Sequence, residues 1–368
     1  MAFDPLALPP LWTADLPGIG GRLKQEPEDF EVEEIPAYEP SGQGGYLYLW
    51  VEKRGLGSEF FIRQLAQRLR LGATEVGLAG LKDRQAVTRQ WVSVPATAES
   101  RLAQLDGDGI RVLAVSRHGN KLRTGHLRGN RFRILVRDVG PAATPRADAI
   151  IQRLRQLGLP NFYGPQRFGQ GGATVERGLA ILRGERPAGK ERPFLRKLAL
   201  SAAQASLFNH YLSRRLRDGL LRQLLDGDVA AQGPVGGLFL VDDVPREQAR
   251  FEAREIVSAG PMFGRKTFPA AREAARREAE VLADAGLTPA SLTGHGRLLP
   301  GTRRHNLVYV DDLVASEELE GLRLCFTLPA GSYATVLLRE LMKNAEADRE
   351  LSGTEKNEGI SCMAAELG

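Results

Sequence analysis

The chain reads as an α+β protein of about two domains, and three observations predict this. Its 368 residues exceed what one ordinary core holds. Up to about Val139, short alternating strand patterns are mixed with amphipathic helical ones. From about Leu159 the pattern shifts toward helices and loops.

Taken in order, Phe30-Glu31-Val32-Glu33-Glu34 alternates apolar and charged residues, the period of a half-buried strand. Residues 46–51 continue as a more buried strand after the glycine turn at 42–45. Ser58 is placed to cap a helix whose Phe61, Ile62, Leu65 and Leu69 share one face, with Gly72 just past its end. Val76-Gly77-Leu78-Ala79 is a short apolar run closed by Gly80, and Trp91-Val92-Ser93-Val94 alternates until Pro95. Residues 110–116 and 132–136 supply further strands. Thr144-Pro145 opens a helix through Leu157, with proline at its first position and Gly158 beyond its end. A long helical pattern covers 192–218, and the Ala/Glu/Arg-rich stretch 270–285 is strongly helix-forming. Residues 322–328 return to a strand that ends at Pro329. The polar tail after Met342 is predicted to be partly disordered.

Composition narrows the function. No stretch approaches the ~20 apolar residues of a membrane span, and the first residues lack a signal-peptide layout, so a cytoplasmic protein is expected. Cys325 and Cys362 are the only cysteines, and His118, His126, His210, His295 and His305 are dispersed. Neither a disulfide framework nor a metal site is predicted. Net charge is +5 with a pI near 9.3. From Arg111 through Arg137 no acidic residue interrupts Arg117, Lys121, Arg123, Arg128, Arg131 and Arg133. Such one-sidedness suits a polyanion, although a charge run is more often a solvated face. Here Phe132, Ile134 and Val136 alternate with cations, which reads as a strand with one basic face. No dimer-forming stripe is visible, and a monomer is expected.

The most informative segment is Ala79-Gly80-Leu81-Lys82-Asp83-Arg84-Gln85-Ala86-Val87-Thr88-Arg89-Gln90-Trp91. It places one carboxylate, Asp83, in a turn among cations, which favour its ionised form. Asp83 is thus a candidate nucleophile or base, the alternative being a surface turn in which it only pairs with its neighbours. Glu28 and Asp29 are adjacent carboxylates; neighbours on a strand point to opposite faces, so they make a poor acid/base pair and read as structural.

This segment resembles the catalytic motif of the TruD family of tRNA pseudouridine synthases, G-x-K-D-[RK]-x-A-V-T-x-Q. Four more segments resemble family motifs in the family's order: Lys24-Gln25-Glu26-Pro27-Glu28-Asp29-Phe30, Gly129-Asn130-Arg131-Phe132, Asn161-Phe162-Tyr163-Gly164-Pro165-Gln166-Arg167-Phe168-Gly169, and Leu328-Pro329-Ala330-Gly331-Ser332-Tyr333-Ala334-Thr335 with Arg339 beyond. The resemblance implies a catalytic core with a curved, mixed, mainly antiparallel sheet, interrupted by a family-specific α/β insertion. On that pattern the core is 1–158 plus 304–345, the insertion 159–303, and 346–368 a polar tail. It implies isomerisation of uridine to pseudouridine at position 13 of tRNA, without a cofactor. Asp83 would be the catalytic carboxylate and Lys24 its basic partner. Phe30, Phe132 and Tyr333 would lie near the flipped-out base, with Asn130 on the uracil edge; core packing is the alternative for Phe30 and Phe132. Tyr333 stands where phenylalanine is frequent. Arg84, Lys121, Arg123, Arg128, Arg167 and Arg339 are candidate RNA contacts, a salt bridge between domains being the alternative for Arg167. Two other functions fit less well. A non-catalytic RNA binder needs no carboxylate facing a polyanion, and a glycoside hydrolase would need a sugar groove that the sequence lacks.

Overall fold

The computed structural model describes residues 3–185, 192–233 and 236–344, so the expected disorder of the 346–368 tail lies outside the described residues. The first part of the chain runs β1 (Gly20–Arg22), β2 (Phe30–Pro36), β3 (Tyr46–Arg54), α1 (Ser58–Leu69), β4 (Gly77–Leu78), β5 (Val87–Pro95), β6 (Ile110–His118), β7 (Leu127–Val139) and α2 (Ala143–Leu157). There follow β8 (Leu159–Pro160), α3 (Ala173–Leu182), α4 (Pro193–Arg217), β9 (Val229–Gln232), β10 (Leu238–Leu240), α5 (Val244–Glu252), β11 (Ile256–Met262), α6 (Arg272–Asp284), β12 (Thr302–His305), β13 (Leu307–Val308), β14 (Val314–Glu318), β15 (Gly321–Pro329) and α7 (Ala334–Met342).

Nine strands form one sheet in the order β14-β15-β7-β2-β5-β3-β6, with β1 beside β7 and β4 beside β5. Every pairing is antiparallel except β2 with β5, which run parallel for three residue pairs, Glu31↔Val87 to Glu33↔Arg89. Beyond them β2 leaves β5, and β4 takes up the vacated edge through Gly77↔Ser93 and Leu78↔Val92. The fold is therefore α+β with a mixed, mostly antiparallel sheet.

One face of this sheet carries all its helices. Cross-strand partners share a face, so Lys53, Thr88, Val32 and Phe132 line up across β3, β5, β2 and β7. On that side α1 buries Phe61, Leu65 and Leu69 against Leu47, Leu49, Val51, Val92 and Val94. Over the other half, α2 and α7 bury Ile150, Leu154, Leu337 and Leu341 against Phe132, Ile134, Leu324 and Phe326. Between the two helical groups, β2 and β5 are covered on this face, where Val32, Glu34, Thr88 and Gln90 are buried.

A second body is built on α4. Its middle is buried on all sides, and its run of alanines lets neighbours approach closely: a Cβ on Gly178 of α3 would overlap the Ala199 carbonyl. The sheet β10-β9-β11-β12 packs against it. The N-terminal arm crosses both bodies: Phe3 meets His210 edge-on at 5.1 Å, while the Thr13 amide and hydroxyl bond the buried Glu340 carboxylate of α7 at 3.0 and 2.7 Å.

Three local expectations are corrected. Gly57, not Ser58, is the N-cap of α1, because the Ser58 hydroxyl is engaged by Lys82: it accepts from the Lys82 amide at 3.1 Å and bonds its carbonyl at 2.9 Å. The same helix ends in Arg70 with φ +55°, short of Gly72. Helix α2 starts at Ala143, which puts Pro145 third rather than first.

Candidate active site

The loop 79–86 joins β4 to β5 and fills the opening where β2 departs. Three anchors hold it there. Lys82 reaches the buried Glu34 of β2, Nζ to Oε2 3.0 Å, while Glu34 Oε1 accepts the Trp91 amide at 3.3 Å. Ser58 brackets the Lys82 backbone from the start of α1. From beneath, the fully buried Lys53 of β3 donates to the Asp83 carbonyl at 2.8 Å.

So held, Asp83 lies over β2 and β3, its turn tied to both strands. Half of its side-chain surface (52%) is open to solvent, yet the surrounding protein is dense enough that desolvation opposes its charge. The Lys24 ammonium overcomes this. It lies 3.0 Å from Oδ2 and, with its hydrogen bond and the charges of Lys53 and Lys82, holds the carboxyl below the usual aspartate range. Lys24 is placed by a left-handed backbone, φ +53°, and its ammonium lies 4.4 Å above the Phe30 ring. The site therefore presents an ionised carboxylate with one ammonium on its oxygen and another under its main chain.

The aromatic candidates form a column beside it. Phe30 meets Phe132 edge-to-face at 6.2 Å, and Phe132 stacks on Phe326 at 5.1 Å. Phe30 and Phe132 are 3% and 7% exposed, so both belong to the core, the alternative the sequence left open. Asn130, two residues before Phe132 on the same face, has a buried Oδ1 with no hydrogen-bond partner, an acceptor left open. Tyr333 caps α7 and meets Tyr163 at 5.6 Å.

Tyr163 and Tyr333 come from two of the recurring motifs, and Arg304 locks these together. It donates to the Asn161 carbonyl and Oδ1 at 2.9 and 2.6 Å and to the Gly331 carbonyl at 2.8 Å, and stacks 4.1 Å over Tyr163. Ser332 Oγ bonds Asn161 Oδ1 at 3.1 Å.

The candidate RNA contacts separate into two groups. Arg84, Arg123 and Arg128 are exposed, and none is in an ion pair with a described residue. The loop carrying Arg123 touches the Asp83 loop, since the Gly125 amide donates to Ala79 O at 2.8 Å. Lys121 bonds the Thr74 carbonyl, and Arg339 bonds Pro9 O at 2.6 Å. Arg167 is buried at 7% against Ser201 and Tyr163, which places it inside the second body rather than on an RNA-facing surface. Much of the basic face expected on 131–137 is neutralised: Arg131 pairs with Glu33, and Arg137 with Asp29 and Glu320.

Glu28 and Asp29 lie in a 3-10 turn rather than a strand, yet their role is structural. Burial works against the charge of Asp29, but two nitrogens of Arg137 hold its carboxyl below the usual range. Glu28 pairs with Arg54. Reading the sequence assigned no site role to Lys53, Glu34, Ser58 or Arg304; Ser58 entered only as a helix cap.

A family model described as tRNA pseudouridine synthase D (TruD) matches residues 10–188 and 191–341. The chain is 48% identical over 342 residues to the tRNA pseudouridine synthase D of Anaeromyxobacter dehalogenans strain 2CP-1, covering 91% of this chain and 96% of that one. With a tRNA pseudouridine synthase D of Thermus thermophilus it shares 44% over 335 residues, 91% and 92% covered. The crystal structure assigned to tRNA pseudouridine synthase D of Methanosarcina mazei superimposes with a TM-score of 0.74 at 25% identity, covering 93% of this chain and 98% of that one. The chain belongs to the TruD family of tRNA pseudouridine synthases, isomerases that act on tRNA without a cofactor.

Proposed function

We propose that the enzyme converts uridine 13 of tRNA to pseudouridine, with Asp83 as the catalytic carboxylate acting on a uridine flipped out of its stack. The observation that carries this reading is the setting of Asp83: held ionised, half open to solvent, with Lys24 at 3.0 Å. Lys24 holds the carboxylate charged and oriented. The N1–C1′ bond breaks, the uracil turns, and C5 joins C1′ as the C5 proton leaves and N1 gains one, so no atom is added or lost.

Extruding the base costs a few kcal/mol, which stacking against an aromatic side chain at about 1–3 kcal/mol offsets. Tyr333, half-buried, is the surface for it, with Phe30 and Phe132 packed in the core behind Lys24, and the unpartnered Asn130 Oδ1 accepts from the uracil imide. Arg84, Arg123 and Arg128 contact backbone phosphates around the site. On this reading 159–303 forms the opposite wall of the RNA groove, and the enzyme works as a cytoplasmic monomer. No helix of the described residues is long and apolar enough to cross a membrane.

The test is pseudouridine formation in unmodified tRNA bearing U13, wild type against Asp83→Asn, with tRNA binding measured for both. Product from wild type alone, with binding retained in both, supports the reading. Equal product from both removes Asp83 from the mechanism.

A further inference from the structure

Lys53 is the one component of the loop anchorage whose chemistry exceeds what packing needs. It is 0% exposed on β3, and its ammonium donates to Leu56 O at 2.6 Å, Asp83 O at 2.8 Å and Lys82 O at 3.4 Å. Burying an ammonium costs several kcal/mol of hydration, whereas a methionine of similar length would fill the same space without that cost. What methionine lacks is a set of donors and a charge. Both are directed at the turn that carries Asp83 and at the residues leading into α1.

The other two anchors differ in kind. Ser58 is neutral and grips Lys82, and the Lys82 ammonium is matched by Glu34. The charged groups facing Asp83 are Lys24 from the loop before β2, Lys53 from β3, and Lys82 on its own loop. Lys53 alone touches the main chain of Asp83 itself, on the side away from the carboxylate oxygen that Lys24 holds.

We propose that Lys53 is a positioning residue for pseudouridylation: its ammonium clamps the Asp83 main chain to β3, fixing where the carboxylate meets the uridine, and places a second cation behind it. This rests on Asp83 being the catalytic carboxylate. A carboxylate on a surface loop otherwise wanders by more than the tolerance of a reacting geometry, and small misplacements cost about tenfold to a hundredfold in rate.

The experiment is single-turnover pseudouridine formation from pH 5 to 9, with tRNA affinity and thermal melting, for wild type, Lys53→Met, Lys53→Arg, Ser58→Ala and Asp83→Asn. Lys53→Met is expected to slow the reaction about 10- to 100-fold and to move its acid limb up by about half to one pH unit, leaving tRNA affinity within about threefold. Ser58→Ala, which cuts a neutral tie to the same turn, slows the reaction with the acid limb in place. Lys53→Arg keeps the limb in place because the charge remains. A Lys53→Met enzyme with wild-type rate and profile overturns the proposal, as does one that is slow with an unmoved limb. Should Lys53→Met not fold, an acid limb that rises in Lys53→Arg or in Ser58→Ala overturns it equally. Activity surviving in Asp83→Asn defeats the assignment of Asp83 instead, an outcome the Lys53 variants do not produce.

Discussion

Replacing Lys82 by methionine tests the anchorage of the Asp83 loop most directly. The Lys82–Glu34 pair is among the most buried in the protein, with side chains 5% and 1% exposed and a 3.0 Å contact. Removing one member leaves the other charge in a nearly dry site. In Lys82→Met, Glu34 keeps only the Trp91 amide at 3.3 Å. Such an orphaned charge costs about 3–5 kcal/mol. Neutralising both ends is far milder: in Lys82→Met/Glu34→Gln the amide oxygen still accepts from Trp91, and the loss should fall to about 1–2 kcal/mol. The double variant should therefore be about 2–3 kcal/mol more stable than Lys82→Met alone. Trp50 and Trp91 contact each other on the nine-stranded sheet at 5.3 Å, so intrinsic fluorescence follows the body that holds the pair. Urea unfolding of wild type, both single variants and the double variant gives the four corners. A double variant as unstable as the sum of the singles would refute the argument that an isolated buried charge is the source of the loss.

Three further outcomes follow from the geometry. Lys24→Met removes the main influence that lowers the Asp83 carboxyl, so the acid limb of the rate profile should rise and the activity loss should be larger at pH 5 than at pH 8; a uniform loss across pH would contradict this. Burial lowers the His210 pKa below 6.5 despite its 2.8 Å bond to Asp284, so the folded protein binds this proton less readily than the unfolded chain. Stability that His210 contributes is present above about pH 6.5 and lost as pH falls through that value toward the folded pKa, and His210→Gln should flatten this part of the thermal-stability profile. Arg304→Met frees the Gly331 carbonyl and removes the charged donor from Asn161 Oδ1, which keeps only the Ser332 hydroxyl, so Tyr333 should lose its fixed place and kcat should fall about tenfold or more while phosphate contacts keep KM within a few-fold; an unchanged kcat would show that the two motifs need no clamp.

The parts of this molecule that the sequence revealed are those where one physical signal decides. Apolar periodicity reports burial directly, so β3, β5, α1, α2 and α4 are legible in it; α6 follows from helix propensity, and Asp83 is distinguished by the cations of its own short segment together with the resemblance. Lys53 shows the opposite case. In Trp50-Val51-Glu52-Lys53-Arg54 it looks like the charged end of a strand, and only the arrival of Leu56 and of the 82–83 turn, brought by tertiary structure, encloses it. The basic run shows it again. Its cations are contiguous in sequence, but the carboxylates that neutralise Arg131 and Arg137 are remote: Glu33 and Asp29 lie about a hundred residues earlier, and Glu320 lies 183 residues later. The α1 cap was misplaced by one residue because a hydroxyl suited to capping was drawn to Lys82 instead.

The pairing of β7 with β15, in register from Gly129↔Pro329 to Arg137↔Gly321, also sets an order of assembly. During synthesis the long β7 emerges some two hundred residues before its partner, and the body around α4 is translated in between. Until β15 arrives, one edge of β7 is a row of unsatisfied backbone groups, an invitation to mispairing with other nascent chains. The same delay withholds α7, whose Leu337 and Leu341 complete the core over this half of the sheet, so chains cut short before β15 are left with an open strand edge and an uncovered apolar face, ready substrates for proteolysis.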